Sequence, residues 1–321
     1  MIVITGAAGF IGSCLAKKLN QQGYKDLVLV DDFNIKEKSN NLTHVIYHLK
    51  IDRNIFIPWI QKNCKTVQAI LHIGARTNTA EFNYALLTKL NVDYSKALWN
   101  IAVKEGLPFI YASSAATYGL GEFGFDDTLQ DMTVLKPLNP YGQSKLEFDI
   151  WAHEQKEKPY FWAGFKFFNV YGPNEYHKTR MASVIYHAFN QIKENASLKL
   201  FESHHSDYKN GEQLRDFVYV KDIVDVLIYF LEQRKNSGIY NLGSGVAHSF
   251  NELAAFVFEA LSLPIKVSYI PTPVDIRDKY QYYTLANIEK LRSAGYLESF
   301  TTLKDGVRDY VGNYLQSDGY F

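Results

Sequence analysis

A doubly wound α/β fold with a smaller C-terminal substrate lobe is what this sequence predicts, on three observations. Short apolar runs alternate with helix-length amphipathic segments through the first half, the rhythm of βαβ units around a parallel sheet. The first run ends in three evenly spaced glycines, Gly6, Gly9 and Gly12, ahead of a helical pattern, and the second run closes on Asp31. At 321 residues, the chain exceeds the roughly 250–300 at which single cores stop growing, so two lobes are expected.

The candidate strands are Ile2 to Thr5, Leu27 to Val30, Val45 to Leu49, Ala69 to Ile73, Phe109 to Ala112 and Ala163 to Phe168. Each is a short apolar run bounded by turn formers or charge. Helical periodicity lies between them at about Ile11 to Gln22, Leu86 to Glu105 and Tyr141 to Gln155. From Gly172 the alternation loosens into a polar aromatic stretch, a helix at about Val220 to Gln233 and a Tyr-rich end. The expected division is a dinucleotide-binding domain over 1–171, to which 216–243 returns, and a substrate lobe over 172–215 and 244–321. Ser203 to Gln213 reads as a surface loop.

Composition excludes several partners. Lys+Arg and Asp+Glu both number 34, and no long run of one sign occurs, so neither nucleic acid nor an anionic membrane is expected. The most apolar stretch, Ile223 to Leu231, is broken by Asp225 and cannot span a bilayer. With no basic leader before the first strand, a soluble, cytoplasmic protein is expected. Cys14 and Cys64 stand outside any C-x-x-C or zinc spacing and read as small buried residues. The pairs His44 with His48 and His204 with His205 lack a completing carboxylate or cysteine, so no metal is expected.

Strand, glycine turn and helix supply what a pyrophosphate needs: free backbone N–H groups, no Cβ in the way and the positive end of a helix dipole. Asp31 and Asp32 follow the second strand, where a carboxylate accepts hydrogen bonds from an adenosine ribose and favours NAD. Lys36, Lys38, Lys50 and Arg53 stand nearby, as a 2′-phosphate would want. The local charges point both ways.

A second constellation follows. The strand from Phe109 runs into Ser113-Ser114, and Asn139-Pro140-Tyr141-Gly-Gln-Ser-Lys145 opens a helix at Pro140. Tyr141 and Lys145, at i and i+4, share one helix face. A phenol with a pKa near 10 becomes a usable base where an ammonium and an oxidised nicotinamide ring favour the phenolate. Lys145 can hold the ribose of that ring while Ser114 orients the reacting oxygen.

These motifs resemble the extended short-chain dehydrogenases/reductases. Over nearly its whole length the chain is similar to the ADP-heptose 6-epimerase family of sugar-nucleotide epimerases. The narrower signals are Tyr-Ala-Ser-Ser-Ala-Ala-Thr-Tyr-Gly (111–119), Phe-Phe-Asn-Val-Tyr-Gly-Pro (167–173), His-Lys-Thr-Arg-Met-Ala-Ser-Val (177–184) and, further on, Arg-Asp-Phe-Val-Tyr-Val (215–220). The resemblance implies epimerisation of ADP-D-glycero-D-manno-heptose through a C6″ ketone, supplying lipopolysaccharide-core heptose. It gives Tyr141 and Lys178 the roles of two acid/base groups, and it implies a homopentamer. It implies NADP, with Lys38 and Arg53 reaching the phosphate, while NAD stays open. Cofactor contacts carry over to Gly6, Gly9, Phe10, Ile11, Gly12, Asp31, Asp32, Ile73, Gly74, Ala75, Arg76, Asn91, Lys145 and Val170. Substrate contacts carry over to Ser114, Asn169, Arg180, His187, Phe201, Glu202, Ser203, Arg215 and Tyr280. Arg180 departs from the small residue expected there, and the loop after Ser203 looks like an insertion. The other reading of Arg215-Asp216 is an intramolecular ion pair.

Chemistry asks for a second base too. Inverting an unactivated carbinol carbon means removing its hydride and returning it to the opposite face, and one base cannot serve both hydroxyl orientations unless the ketone turns. A lysine such as Lys178, its pKa lowered by cations or desolvation, would serve the other side. Among rivals, a 4,6-dehydratase of this superfamily carries Asp-Glu after the serine, where this chain has Ala115-Ala116, and methyl groups transfer no protons. A hexose 4-epimerase needs only Ser, Tyr and Lys. A non-catalytic NAD(P)H-binding module has no need of Ser114 and Tyr141.

Overall fold

The computed structural model describes residues 1–79, 81–277 and 280–321. Its large layer alternates β1 (Ile2–Thr5), α1 (Phe10–Gln21), β2 (Leu27–Asp31), β3 (Leu49–Asp52), α2 (Arg53–Asn63), β4 (Ala69–His72), α3 (Tyr84–Leu87), α4 (Tyr94–Glu105), β5 (Phe109–Ser114), α5 (Pro140–Glu154) and β6 (Trp162–Phe167). The smaller lobe begins with β7 (Asn169–Tyr171), α6 (Val184–Asn195), β8 (Leu198–Phe201) and β9 (Leu214–Tyr219). Then follow α7 (Val220–Gln233), β10 (Gly238–Leu242), β11 (Ala247–Ser249), α8 (Phe250–Ala260), β12 (Val267–Ile270) and short helices to the end.

Seven strands form one parallel sheet in the order β10-β6-β5-β4-β1-β2-β3. The reversal of strand order beside β1 is the switch point at which doubly wound folds hold ligands. Alternation along the strands divides the core between the two faces. Ile2, Ile4, Leu27 and Leu29 pack with α1 and α7, whereas Val3, Val28 and Val30 pack with α2 and α4. On that second face Trp99 lies edge-on to Phe109, Phe148, Trp151 and Trp162.

The smaller lobe holds a three-stranded sheet in the order β11-β9-β7 and the parallel pair β12-β8. Helix α7 packs on α1 and β10 pairs with β6, so both lie in the large layer, while β9 belongs to the small sheet.

Two expected elements differ. The third strand is Leu49–Asp52 rather than Val45–Leu49, because Ile46 and Tyr47 face solvent and the preceding segment closes in the turn Val45 N–H to Leu42 C=O. The helix expected over Leu86 to Glu105 is interrupted by a π-helical segment, Thr88–Asp93, a device frequent at functional sites. Segment 203–213 carries no strand or helix. Cys14 and Cys64 are buried free thiols, and burial pushes that of Cys14 well up. No helix among the described residues is long and apolar enough to cross a membrane.

Candidate active site

The glycine turn packs so closely on neighbouring backbone that it admits no side chain at Gly6 or Gly12. Gly6 has φ +68°, and a Cβ there would meet Gly74 Cα at 2.5 Å. A Cβ on Gly12 would lie 2.1 Å from the Gly6 carbonyl oxygen. Gly9, the N-cap of α1, offers no capping side chain, so the first-turn N–H groups of Phe10, Ile11 and Gly12 are left to a ligand. Gly74 N–H donates to the Thr5 hydroxyl at 3.2 Å, locking the end of β4, with Ile73, Ala75 and Arg76, against the turn. Within the π-helical segment, Asn91 accepts from Arg76 N–H at 2.7 Å and donates to its carbonyl at 3.1 Å and to the Ser144 hydroxyl at 3.0 Å. A dinucleotide fits this cradle: the side-chain-free turn leads directly into uncapped helix N–H groups, which is what a pyrophosphate needs.

At the acidic end both Asp31 oxygens are engaged. Oδ2 accepts from Ala8 N–H at 2.9 Å, and Oδ1 accepts from Asp32 N–H at 2.8 Å and Lys38 Nζ at 3.0 Å. Arg53 Nη2 reaches Asp32 Oδ2 at 3.2 Å. Each carboxylate thus carries its own cation, whereas Lys50 turns away over the rings of Phe33 and Tyr47.

Asn139 caps α5 by accepting from Gly142 N–H at 2.8 Å, with Pro140 in the first turn, a favourable start for a helix. A Cβ on Gly142 would meet the Ala116 carbonyl oxygen at 2.7 Å. This close approach sets the first turn of α5 on the turn that follows Ser114, and places Tyr141 beside the serine. The Tyr141 phenol lies above its ordinary pKa, chiefly because it is buried; the Ser114 hydroxyl opposes the shift and the Asp149 carboxylate adds to it. Lys145 donates to the Ala112 carbonyl at 2.8 Å, and burial depresses its own pKa to about 8. Burial thus disfavours the charged form of both groups.

Lys178 lies on a 3₁₀ turn, Tyr176–Met181, that follows β7. Its Nζ stands 5.2 Å from the centre of the Phe10 ring, so the smaller lobe presents an amine at the glycine turn. Burial lowers its pKa, and Glu175 opposes that shift. Val170 lies in β7, where its N–H donates to the Phe168 carbonyl. Asn169 donates to the Asp216 carbonyl at 3.1 Å and the Thr284 hydroxyl at 3.2 Å.

Phe201 and Tyr280 meet edge to face with ring centres 6.4 Å apart, and the Arg215 guanidinium lies 5.3 Å from the Tyr280 ring. The ion pair considered for Arg215-Asp216 gives way to separate roles. Arg215 donates to the carbonyls of Leu214 and Gln281, while Asp216 accepts from Ser244 N–H and hydroxyl, Gly245 N–H and Ala286 N–H. The second cluster joins His187 Nε2 to the Arg180 carbonyl at 3.4 Å. Glu202 N–H donates to the Ile270 carbonyl, and Ser203 N–H to Asn210 across its own loop. No group of three or more His, Cys, Asp or Glu able to hold a metal occurs among the described residues.

Three polar residues that sequence reasoning passed over complete the site. Buried Asn41 donates to the carbonyls of Ala8 and Asn174 and lies 3.3 Å from His177 Nδ1, joining the glycine turn to the Lys178 turn. Burial, with Lys38 and Lys178, lowers the His177 pKa to about 4. Glu175 is fully buried, accepting from Ser183 N–H and hydroxyl at 2.6 Å each. Only Glu175 and His177 had a legible signal, their places on either side of Tyr176 just before Lys178.

Comparison with known proteins agrees with this geometry. Residues 2–243 match the NAD dependent epimerase/dehydratase family. The chain is 45% identical to an ADP-L-glycero-D-manno-heptose-6-epimerase of Fusobacterium nucleatum over all of both chains. It is 43% identical to one of Nitratidesulfovibrio vulgaris over 98% of each. The solved ADP-L-glycero-D-manno-heptose-6-epimerase of Helicobacter pylori superposes with a TM-score of 0.81 at 29% identity, covering 97% of this chain and 95% of that one. A UDP-N-acetylglucosamine 4-epimerase of Methanobrevibacter ruminantium, at 22% identity and a TM-score of 0.83, shares the fold over 99% and 98%. With its glycine cradle and the Ser114, Tyr141 and Lys145 cluster, the chain belongs to the NAD dependent epimerase/dehydratase family and, within it, to the ADP-L-glycero-D-manno-heptose-6-epimerases.

Proposed function

We infer that the chain inverts C6″ of ADP-D-glycero-D-manno-heptose to give the L-glycero epimer, with NADP bound throughout. The substrate is taken from the relatives named for it. The observation that carries the chemical reading is an amine, Lys178, 5.2 Å from the ring centre of Phe10 in the dinucleotide turn, contributed by a different lobe from Tyr141. Two proton carriers on opposite sides serve an inversion in which the carbonyl oxygen changes sides as the ketone turns, and a one-sided dehydrogenase lacks the second.

In this reading Gly6, Gly9 and Gly12 leave room for the pyrophosphate, Lys145 holds the ribose, and Lys38 and Arg53 turn from their carboxylates to a 2′-phosphate. A bound, oxidised nicotinamide supplies a hydride acceptor and donor for C6″ and a positive charge beside Tyr141. Tyr141 takes the hydroxyl proton of one epimer as C6″ loses its hydride and becomes a carbonyl carbon. The ketone turns within the pocket. Lys178 would deliver a proton to the carbonyl oxygen on the other side, the roles would reverse for the other epimer, and Tyr141 and Lys178 would re-equilibrate their protons with solvent between turnovers. Ser114 orients the oxygen, and the neutral side chains of Ala115 and Ala116 leave water elimination without its proton carriers. Phe201, Arg215 and Tyr280 offer rings and a cation to the ADP. Two buried thiols without a disulfide suit the reducing cytoplasm.

The test is incubation of purified protein with each ADP-heptose epimer, without added cofactor, reading C6″ stereochemistry by NMR. Interconversion is expected from dinucleotide that copurifies. Full activity after the dinucleotide has been stripped, or turnover of UDP-hexoses at C4″ with none of ADP-heptose, would sink the reading.

A further inference from the structure

We propose that Asp149 and Lys166 form a buried positioning pair that fixes α5 against β5 and β6 and keeps the Lys145 ammonium charged, so that the cluster of Ser114, Tyr141 and Lys145 depends on it. This rests on the reading of Tyr141 and Lys145 given above.

Asp149 stands one turn beyond Lys145 and two beyond Tyr141 on a single face of α5. Its carboxylate is fully buried. Oδ2 accepts from Lys166 Nζ and from the Ser113 hydroxyl, each at 2.6 Å, and Oδ1 accepts from the Tyr111 hydroxyl at 3.0 Å. Lys166, 1% exposed, also donates to the Thr117 hydroxyl at 2.8 Å, which in turn donates to the Ser114 carbonyl at 2.8 Å. An unbroken chain of hydrogen bonds thus runs from the helix of Tyr141 and Lys145, across two strands, to the backbone of Ser114.

Burying such a pair is costly, and apolar residues of the same volume commonly give as much stability. What apolar residues would not give is a fixed negative charge one turn from Lys145 and a geometric stop for α5. Lys145 shares its helix face with Asp149 and Tyr141, and from the sheet it meets His72 and the Ala112 carbonyl, while Tyr111 and Lys166 lie on the far side, bonded to Asp149. Burial holds His72 neutral near pH 7, its pKa lowered to about 3 with help from Lys145, and keeps the Tyr111 phenol protonated. Asp149 is therefore the one anion in that set, and Lys166 is its ion-pair partner. It raises the Lys145 pKa against the burial that depresses it to about 8.

The experiment compares Asp149→Asn and the double variant Asp149→Leu/Lys166→Met with the parent. The double variant removes both charges and fills their space, so it is expected to fold with little change in Tm. In cofactor-free protein carrying ¹³C-labelled lysine, the Lys145 resonance, assigned by its loss in Lys145→Arg, should titrate about one pH unit or more lower. The alkaline limb of the kcat profile should move down with it, and a shift of about one unit from about 8 should lower kcat near pH 7.5 about threefold with KM little changed. Should Asp149→Asn fail to fold, the double variant decides the matter alone. A folded variant in which Lys145 titrates as in the parent and the alkaline limb stays in place overturns the proposal. Because the lysine titration is read without substrate, it stands or falls separately from the assignment of the sugar.

Discussion

Replacing Lys178 by methionine separates a proton carrier from a packing residue. Methionine keeps the length and apolar stem of the side chain and removes only the ammonium, which lies 5.2 Å from the Phe10 ring centre. The cation–π contact is worth about 0.5–2 kcal/mol. At about 1.4 kcal/mol per factor of ten, losing it weakens dinucleotide binding or local order by no more than about 30-fold. Removing a general acid/base group costs about 10²- to 10⁴-fold, roughly 3–5 kcal/mol, so the two roles separate by size. They also separate by direction. Epimerisation should fall on the larger scale both ways, since each direction needs both bases. In a single turnover, however, the epimer whose hydroxyl faces Tyr141 should still form the ketone, seen as near-ultraviolet absorbance of reduced nicotinamide, and the other epimer should not. NMR of C6″ and dinucleotide affinity complete the assay. Near-parental epimerisation, or a loss that tracks dinucleotide occupancy alone, would refute a chemical role for Lys178.

Gly12→Ala places a Cβ 2.1 Å from the Gly6 carbonyl oxygen, where ordinary contact begins at 3.4 Å. Backbone must therefore move, at about 1–3 kcal/mol, and dinucleotide should no longer copurify, as absorbance of the isolated protein will report. Lys38→Ala removes a cation from Asp31 and, in the NADP reading, from the 2′-phosphate. Its NADP affinity should fall about 10- to 100-fold by fluorescence titration while NAD affinity holds, and equal loss of both would favour NAD as the native cofactor. Lys145, with its pKa lowered to about 8 against about 10.4 unfolded, binds a proton more readily in the unfolded chain between those values. Cofactor-free parent should therefore gain stability relative to Lys145→Met as pH rises from 8 to 10, and a Tm gap independent of pH would contradict the depressed pKa.

The alternating layer and the glycine turn were legible because they rest on local periodicity and on residues with few conformational alternatives. Ile2–Thr5 and Val220–Gln233 form where their apolar patterns placed them. The third strand was misplaced because the run from Val45 is apolar without being inward-facing. At the sheet edge Ile46 and Tyr47 are exposed, and the strand is the less apolar Leu-Lys-Ile-Asp of residues 49–52, which buries Ile51. The π-helical segment left no mark on the pattern, since one extra residue in a turn shifts a helical face too little to read. Buried Asp149 and Lys166 were invisible for another reason: a charged residue in a helix or strand reads as solvated until its partner is known, and here the partner lies on another element.

The same limit explains how this site is arranged. Residues that touch a reacting group must be of particular chemical types, so Ser114, Tyr141 and Lys145 form a pattern in one dimension. Residues that set their ionisation need only the right charge at the right distance, and the fold can draw them from anywhere. Desolvation raises the Tyr141 phenol and lowers the Lys145 ammonium, so burial acts against both ionised forms the chemistry uses. On this balance Tyr141 rests as the phenol, while Lys145, lowered only to about 8, is still largely ammonium near pH 7. On the proposed roles, a positive ring beside Tyr141 would favour the phenolate against that burial. Ionisation of Tyr141 would then be linked to occupancy of the glycine cradle: in the proposed mechanism an oxidised dinucleotide would both accept hydride and make the residue that takes the proton competent to do so.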